Sequence, residues 1–210
     1  MIRVLVADDH AIVRKGLIQI LHDAPESITV DEAASGQEAL ERIRKETYDA
    51  VVLDISMPGR SGIDTLGQIK AAYPGLPVLI LSMYPEEQYA LRVLKAGASG
   101  YLMKESAPDA LISAVLAVSQ GRKYITPSLA ETLATRLETG ADPESHERLS
   151  DREFEVFLLI AKGQSIKDIA GSLFLSVKTV HTYRARILDK MHLKGTADII
   201  HYAVQYRLIE

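Results

Sequence analysis

Along the first 120 residues, apolar positions fall into two alternating kinds of run. Short apolar runs rich in Val, Ile and Leu fall near 2–7 and 49–54, as in Ala50-Val51-Val52-Leu53, and further strand-like segments fall near 28–33, 77–82 and 99–103. Runs of that length and composition predict strands buried on both faces, which is how strands of a parallel sheet read. Between them, 11–23, 36–46, 62–72, 86–96 and 107–120 carry apolar residues at helical spacing, as in Leu111, Ile112, Val115, Leu116 and Val118. Pro58-Gly59 and Pro74-Gly75 punctuate the alternation as turns. Five repeats of strand then helix predict an α/β doubly wound, five-stranded parallel sheet with right-handed crossovers.

The pattern weakens from Gly121 to about His146. Thr126-Pro127-Ser128 reads as a helix start, a short helical stretch follows, and Gly140, Asp142 and Pro143 break it. Residues 121–146 are therefore expected to be a linker with a short helix. Beyond it, Ser150 with Glu153 three residues on reads as a capping box. Helices are predicted near 151–162, 166–173, 177–191 and 196–206, with Gly163, the Phe174 to Ser176 segment and Gly195 as breaks. The expected organisation is a first domain over 1–120, the linker, and a small all-α domain over 147–210.

Composition changes this picture little. Hydrophobic residues make up 47% of the 210, enough for a core in each half. There is no cysteine, which removes disulfides and thiolate metal sites. No apolar run approaches the length that spans a membrane, and Met1 leads straight into a strand with no basic and apolar leader, so the expectation is a cytoplasmic protein without membrane contact. Charge is more informative. Residues 147–210 hold ten Lys/Arg against eight Asp/Glu, a net of +2; the remainder holds fourteen against twenty, a net of −6. Between Lys178 and Lys194 five cations face only Asp189, and a helix with such a face suits phosphates.

Candidate chemistry sits at strand ends. Asp8 and Asp9 close the first strand and Asp54 closes the third, at the edge where open α/β folds place their ligand sites. Acids gathered there need a counter-ion, and a hard divalent cation such as Mg2+ supplies it. These acids, Asp54 followed by Met57-Pro58-Gly59, Ser82 at the fourth strand's end and Lys104 after the fifth resemble a response-regulator receiver domain with its flavodoxin-like fold. By that resemblance Asp54 is the phosphoacceptor for a sensor histidine kinase. Asp8, Asp9, Asp54 and the backbone carbonyl of Ser56 would hold Mg2+. Lys104 would pair with Asp54 and then with its phosphoryl group, Ser82 would donate a hydroxyl hydrogen bond to that group, and Tyr101 would be the aromatic that follows the movement of Ser82. Phosphoryl transfer suits these residue types, because it needs charge neutralisation and alignment more than covalent chemistry from the protein. Ser56 and Tyr84, two residues after Asp54 and Ser82, are placed to flank a hydrolytic water.

In the tail, Leu149-Ser150-x-Arg152-Glu153, Gly163, Ile169-Ala170, Leu175-Ser176, Lys178-Thr179-Val180 and Leu188-x-Lys190-Met191 resemble the LuxR-type helix-turn-helix. Receiver and tail in this order resemble transcriptional regulators of the NarL/FixJ class. Ile166, Ile169, Ala170 and Leu173 are expected to face inward from the first helix of the motif, and Val177, Val180, Ile187, Leu188 and Met191 from the second. Lys178, Thr179, Arg184, Arg186 and Lys190 then suit DNA phosphates, and His181, Thr182 and Ala185 suit base edges. The commonest family pattern has lysine at the position of His181 and histidine at that of Tyr183, so this helix brings less charge to the groove.

The resulting expectation is a non-enzymatic, phosphorylation-controlled regulator that binds double-stranded DNA and forms a homodimer when phosphorylated. The final helix, with Ile199, Ile200 and Val204, offers either a dimer face or packing within the tail. Two rivals remain. A phosphotransferase with an aspartyl-phosphate intermediate would need a second acid two residues after the nucleophile, where Ser56 stands. A phosphorylation-independent DNA binder would not need the retained acids and Lys104.

Overall fold

The computed structural model describes residues 1–57, 62–139, 145–206, 208 and 209; Pro58, Gly59, Gly140, Asp142 and Pro143 lie outside them. The chain divides into two compact units, Met1–Thr135 and Arg136–Glu210.

The first unit carries strands β1 (Ile2–Ala7), β2 (Ile28–Ala33), β3 (Ala50–Asp54), β4 (Val78–Ser82) and β5 (Gly100–Met103). All pairings are parallel and the order is β2-β1-β3-β4-β5. The strands alternate with α1 (Ala11–His22), α2 (Gly36–Lys45), α3 (Gly62–Ala72), α4 (Glu86–Lys95) and α5 (Ala107–Ser119). Every residue of β3 and β4 is buried, which is why their sequences are unbroken apolar runs rather than alternating ones. Val4, Val6, Val52, Leu79 and Leu81 point to one face and pack with Leu17 and Leu21 of α1 and Leu111, Val115 and Val118 of α5. The intervening Leu5, Val51, Leu53 and Ile80 are buried on the other face, where α2 and α3 pack together.

The chain order reverses where β1 lies between β2 and β3, and the carboxyl ends of β1 and β3 meet at that switch point. Asp8, Asp9 and Asp54 converge there because they end those two strands.

The segment after α5 adheres to the sheet edge rather than leaving it. Tyr124 bridges Gly100 and donates its N–H to the Ser99 carbonyl at 2.9 Å, and Lys123 Nζ reaches the Ala98 carbonyl. Helix α6 (Pro127–Thr139) follows, capped by the Thr126 hydroxyl.

The second unit contains α7 (Asp151–Ala161), α8 (Ile166–Ser172), α9 (Val177–Met191) and α10 (Thr196–Gln205). Ser150 and Glu153 form the expected capping box on α7, and Ser165 and Ser176 cap α8 and α9. Phe154, Val156, Phe157, Ile169, Val180, Ile187 and Ile199 are fully buried and form its core. Val177 departs from the inward face expected of it: at the first position of α9 it overhangs the packed interior and is 45% exposed. No helix among the described residues is long and apolar enough to cross a membrane.

Candidate functional site

Asp54 is buried at the end of β3, and Asp8, also buried, ends up beside it from β1. Lys104, in the 3-10 turn that follows β5, places Nζ 2.8 Å from Asp54 Oδ2 and 2.8 Å from Asp8 Oδ2. One ammonium therefore serves two buried carboxylates. Burial, reinforced by the charge of Asp8, pushes the Asp54 carboxyl above the usual range, although Lys104 opposes that rise. Burial works against the Lys104 charge too, but with two carboxylates against it the ammonium is held above its ordinary value. The pocket thus has one negative charge more than its lysine balances.

Ligand atoms of Asp8, Asp9, His10 and Asp54 lie within 4.8 Å of one another. Asp9 Oδ1 is buried and receives no hydrogen bond; the His10 Nδ1 stands 3.0 Å from it. Excess charge, hard oxygen donors and an oxygen lacking a hydrogen bond are what a divalent oxygen-preferring cation fits. Asp54 Oδ1 accepts the Ser56 N–H at 3.3 Å.

Ser82 is buried at the end of β4, and its Oγ accepts the Tyr84 N–H at 3.0 Å. Tyr101 is buried on β5, and its hydroxyl donates to the Tyr84 carbonyl at 2.6 Å. Both polar groups of the Tyr84 main chain are thus held by the two side chains read as switch residues, while the Tyr84 ring stacks on Tyr89 of α4 at 4.8 Å. Two residues on, Glu86 Oε2 accepts the Thr126 hydroxyl at 2.5 Å, so the loop that begins at Ser82 is tied to the start of α6.

In the second unit, Lys178, His181, Thr182, Ala185 and Arg186 of α9 are exposed. Helical spacing places Lys178, His181, Thr182 and Ala185 in one stripe. The Thr182 hydroxyl donates back to the Lys178 carbonyl, and Thr179 shares the Ser176 cap. Arg184 donates to Thr196 Oγ1 at the start of α10, and Lys190 Nζ lies 2.6 Å from Glu153 Oε2.

Residues 4–116 match the response regulator receiver domain family, and residues 147–203 match the luxR family of bacterial regulatory proteins. The chain belongs to the response regulators of the NarL/FixJ class. Oxygen regulatory protein NreC of Staphylococcus carnosus is 39% identical over 99% of both chains, and response regulator UvrY of Escherichia coli is 35% identical over 99% of this chain and 96% of its own. Among solved structures, RcsB of Salmonella enterica serovar Typhimurium bound to promoter rprA with the phosphomimetic BeF3− matches 96% of this chain and 97% of its own, with a TM-score of 0.63 and 26% identity.

Sequence reasoning missed one neighbour of this response regulator's acidic cluster and two pairings between residues it had singled out. His10 joins the acidic cluster, and its place directly after Asp9 was the available signal. The bridge from Lys104 to Asp8 and the tie from Lys190 to Glu153 join residues far apart in the chain, which no local pattern encodes. The second tie has a measurable consequence. Burial opposes the charge on Glu153, but hydrogen bonds from Lys190 and Ser150 outweigh it and hold the carboxyl below its ordinary value. A depressed acid stabilises the fold above its unfolded value, about 4.5, and that stability is lost as pH falls through the lower folded value. Glu153→Gln is expected to cost about 1 kcal/mol at neutral pH and to flatten the acid limb of the melting profile as pH falls below about 4.5. Thermal melts across that range check it.

Proposed function

We propose that this response regulator takes a phosphoryl group on Asp54 from a sensor histidine kinase and thereby gains DNA affinity through dimerisation, controlling transcription. The observation that carries the reading is the pocket in which Lys104 meets both Asp8 and Asp54 at 2.8 Å. Asp54 Oδ is the nucleophile: its bond to phosphorus forms as the P–N bond of the kinase's phosphohistidine breaks and the imidazole leaves with the kinase, and the acyl phosphate so formed removes one of the two carboxylates that share Lys104. The lysine then pairs with the phosphoryl oxygens instead. Asp8, Asp9, Asp54 and the Ser56 carbonyl would hold Mg2+, which when bound neutralises phosphoryl oxygens approaching this acidic site.

Ser82 keeps its hydroxyl hydrogen available while its oxygen accepts from Tyr84. Donating it to the phosphoryl group draws the loop inward, and Tyr101 follows through the Tyr84 carbonyl. Glu86 carries the displacement to Thr126 and so to α6. Thr126→Val removes that link together with the α6 cap. Its expected effects are a stability loss of about 1 kcal/mol, unchanged labelling of Asp54 by a small phosphodonor, and a smaller ratio of phosphorylated to unphosphorylated DNA affinity. Unequal labelling would locate the defect in the pocket and contradict this route.

On DNA, the stripe of His181, Thr182 and Ala185 faces the major groove, and Lys178, Thr179, Arg184, Arg186 and Lys190 flank it toward phosphates. The exposed Ile200 and Val204 of α10 supply a dimer face, whereas Ile199 is buried within the unit. The test combines light scattering with binding to a labelled DNA duplex, with and without Mg2+ and beryllofluoride. Joint dimerisation and tighter binding support the reading; no change in either overturns it.

A further inference from the structure

We infer that Phe174, with Val177, forms an apolar contact to the sugar-phosphate edge of the DNA groove beside the basic stripe of α9. The inference rests on the DNA-binding reading above and adds a contact class that its polar residues do not supply.

Several helices in this chain end in the same way. Helix α7 stops with Gly163 at φ 78°, whose N–H donates to the Ile160 carbonyl while the next N–H, that of Gln164, reaches the Leu159 carbonyl. Helices α4 and α5 stop the same way on Gly97 and Gly121. This paired closure needs a left-handed residue, and glycine is the usual occupant because a Cβ is disfavoured there. Helix α8 closes with the same two bonds, from Phe174 to Gly171 and from Leu175 to Ala170, yet places phenylalanine in the left-handed position at φ 55°. A bulky residue at positive φ is an outlier, unlike the histidine that ends α9.

The ring gains little from packing that could offset this, since Phe174 is 72% exposed. Three residues later Val177 is also exposed, at the first position of α9. Two apolar side chains therefore project at the turn leading into α9, next to Lys178 and ahead of His181. An outlier that is both strained and solvent-facing directs attention to what lies outside the unit. The surface continuous with it is basic and helical, which favours duplex DNA as the occupant. Two residues ahead of the Ser176 cap, the ring lies at the flank of the helix end that would enter the groove. There it meets deoxyribose, an apolar surface with no base identity, while Val177 can reach a thymine methyl.

The test uses the full chain with Mg2+ and beryllofluoride, and a fluorescein-labelled 30-base-pair duplex of mixed sequence read by anisotropy over a salt series. Phe174→Asn suits the left-handed position, so its thermal midpoint should not fall. Its affinity is expected to drop about five- to thirtyfold, with an unchanged slope of log affinity against log salt because no cation is lost. Phe174→Tyr should retain most of the affinity, whereas Lys178→Ala should lower the slope by about one. Wild-type affinity in Phe174→Asn overturns the inference and leaves the DNA-binding reading standing. Tighter binding by that variant also overturns it, because the ring would then be covering a competing protein surface. If the wild type itself fails to bind the duplex, both fall.

Discussion

Asp54→Ala is expected to abolish modification by a small phosphodonor and to hold the chain at its basal DNA affinity in the presence of Mg2+ and beryllofluoride. The wild type should gain about 10²- to 10⁴-fold under the same conditions, because a dimer on two half-sites makes the second contact intramolecular. The variant should nevertheless remain folded. Burial and the Asp8 charge hold the Asp54 carboxyl above its usual range, so its ionised form opposes folding. For an acid whose folded pKa is raised, stability declines as pH rises from the unfolded value, about 3.8, through the folded one, and stays at that lower level above it. Removing the carboxylate should therefore leave the melting midpoint at neutral pH equal to or above that of the wild type, and should erase that part of the pH profile. Loss of response without loss of fold is the signature to look for in paired sizing, binding and melting measurements. A variant that still responds to beryllofluoride would mean that Asp54 is not the acceptor. Equal affinity of wild type and variant under all conditions would favour a phosphorylation-independent DNA binder.

The backbone plan was legible because its physics is local. Residues buried on both faces of β3 and β4 must be apolar in succession, and helices that cover them must repeat every three to four residues, so both kinds of run declare themselves. Strand ends then place Asp8, Asp9 and Asp54 together without any knowledge of their partners. What stayed hidden is pairwise. Nothing near Lys104 in sequence says that it bridges two acids, and nothing near Thr126 points to Glu86, forty residues away. Val177 was misplaced for a different reason: helical spacing gives the direction of a side chain but not whether a neighbour stands opposite it, and at the first position of α9 none buries it. His10 was passed over because the expected chemistry called for oxygen ligands. Gly62 gave no signal either, since a glycine ahead of a helical run has several ordinary explanations.

Gly62→Ala should be among the most damaging single-methyl changes in this chain. A Cβ at that position would lie 2.1 Å from the Asp54 carbonyl oxygen and 2.6 Å from the Ile55 Cα, both main-chain atoms of the segment that carries Asp54. A side chain in the way could rotate; this backbone is pinned by the bond from the Gly62 N–H to the Ile55 carbonyl at 2.9 Å. Relief must come from moving the end of β3 or the start of α3, at an expected cost of about 3 kcal/mol or more. Against a typical stability of about 5–15 kcal/mol that is a large fraction. It should lower the melting midpoint of the first unit by roughly 10 °C or more. Any relaxation that saves the fold displaces Asp54 relative to Lys104, and misplacement by about 1 Å can cost on the order of a hundredfold in rate. Phosphodonor labelling should therefore fall at least about tenfold even at temperatures where the variant is folded. Gly67→Ala provides the control within the same helix: nothing lies within 4 Å of a Cβ there, so alanine's better helix propensity should raise stability by about 0.5–1 kcal/mol and leave labelling unchanged. Opposite signs for the same chemical change five residues apart would separate the crowding at β3 from any general intolerance of α3. Equal, small effects at both positions would show that the segment between Asp54 and α3 yields more readily than its hydrogen bonding implies.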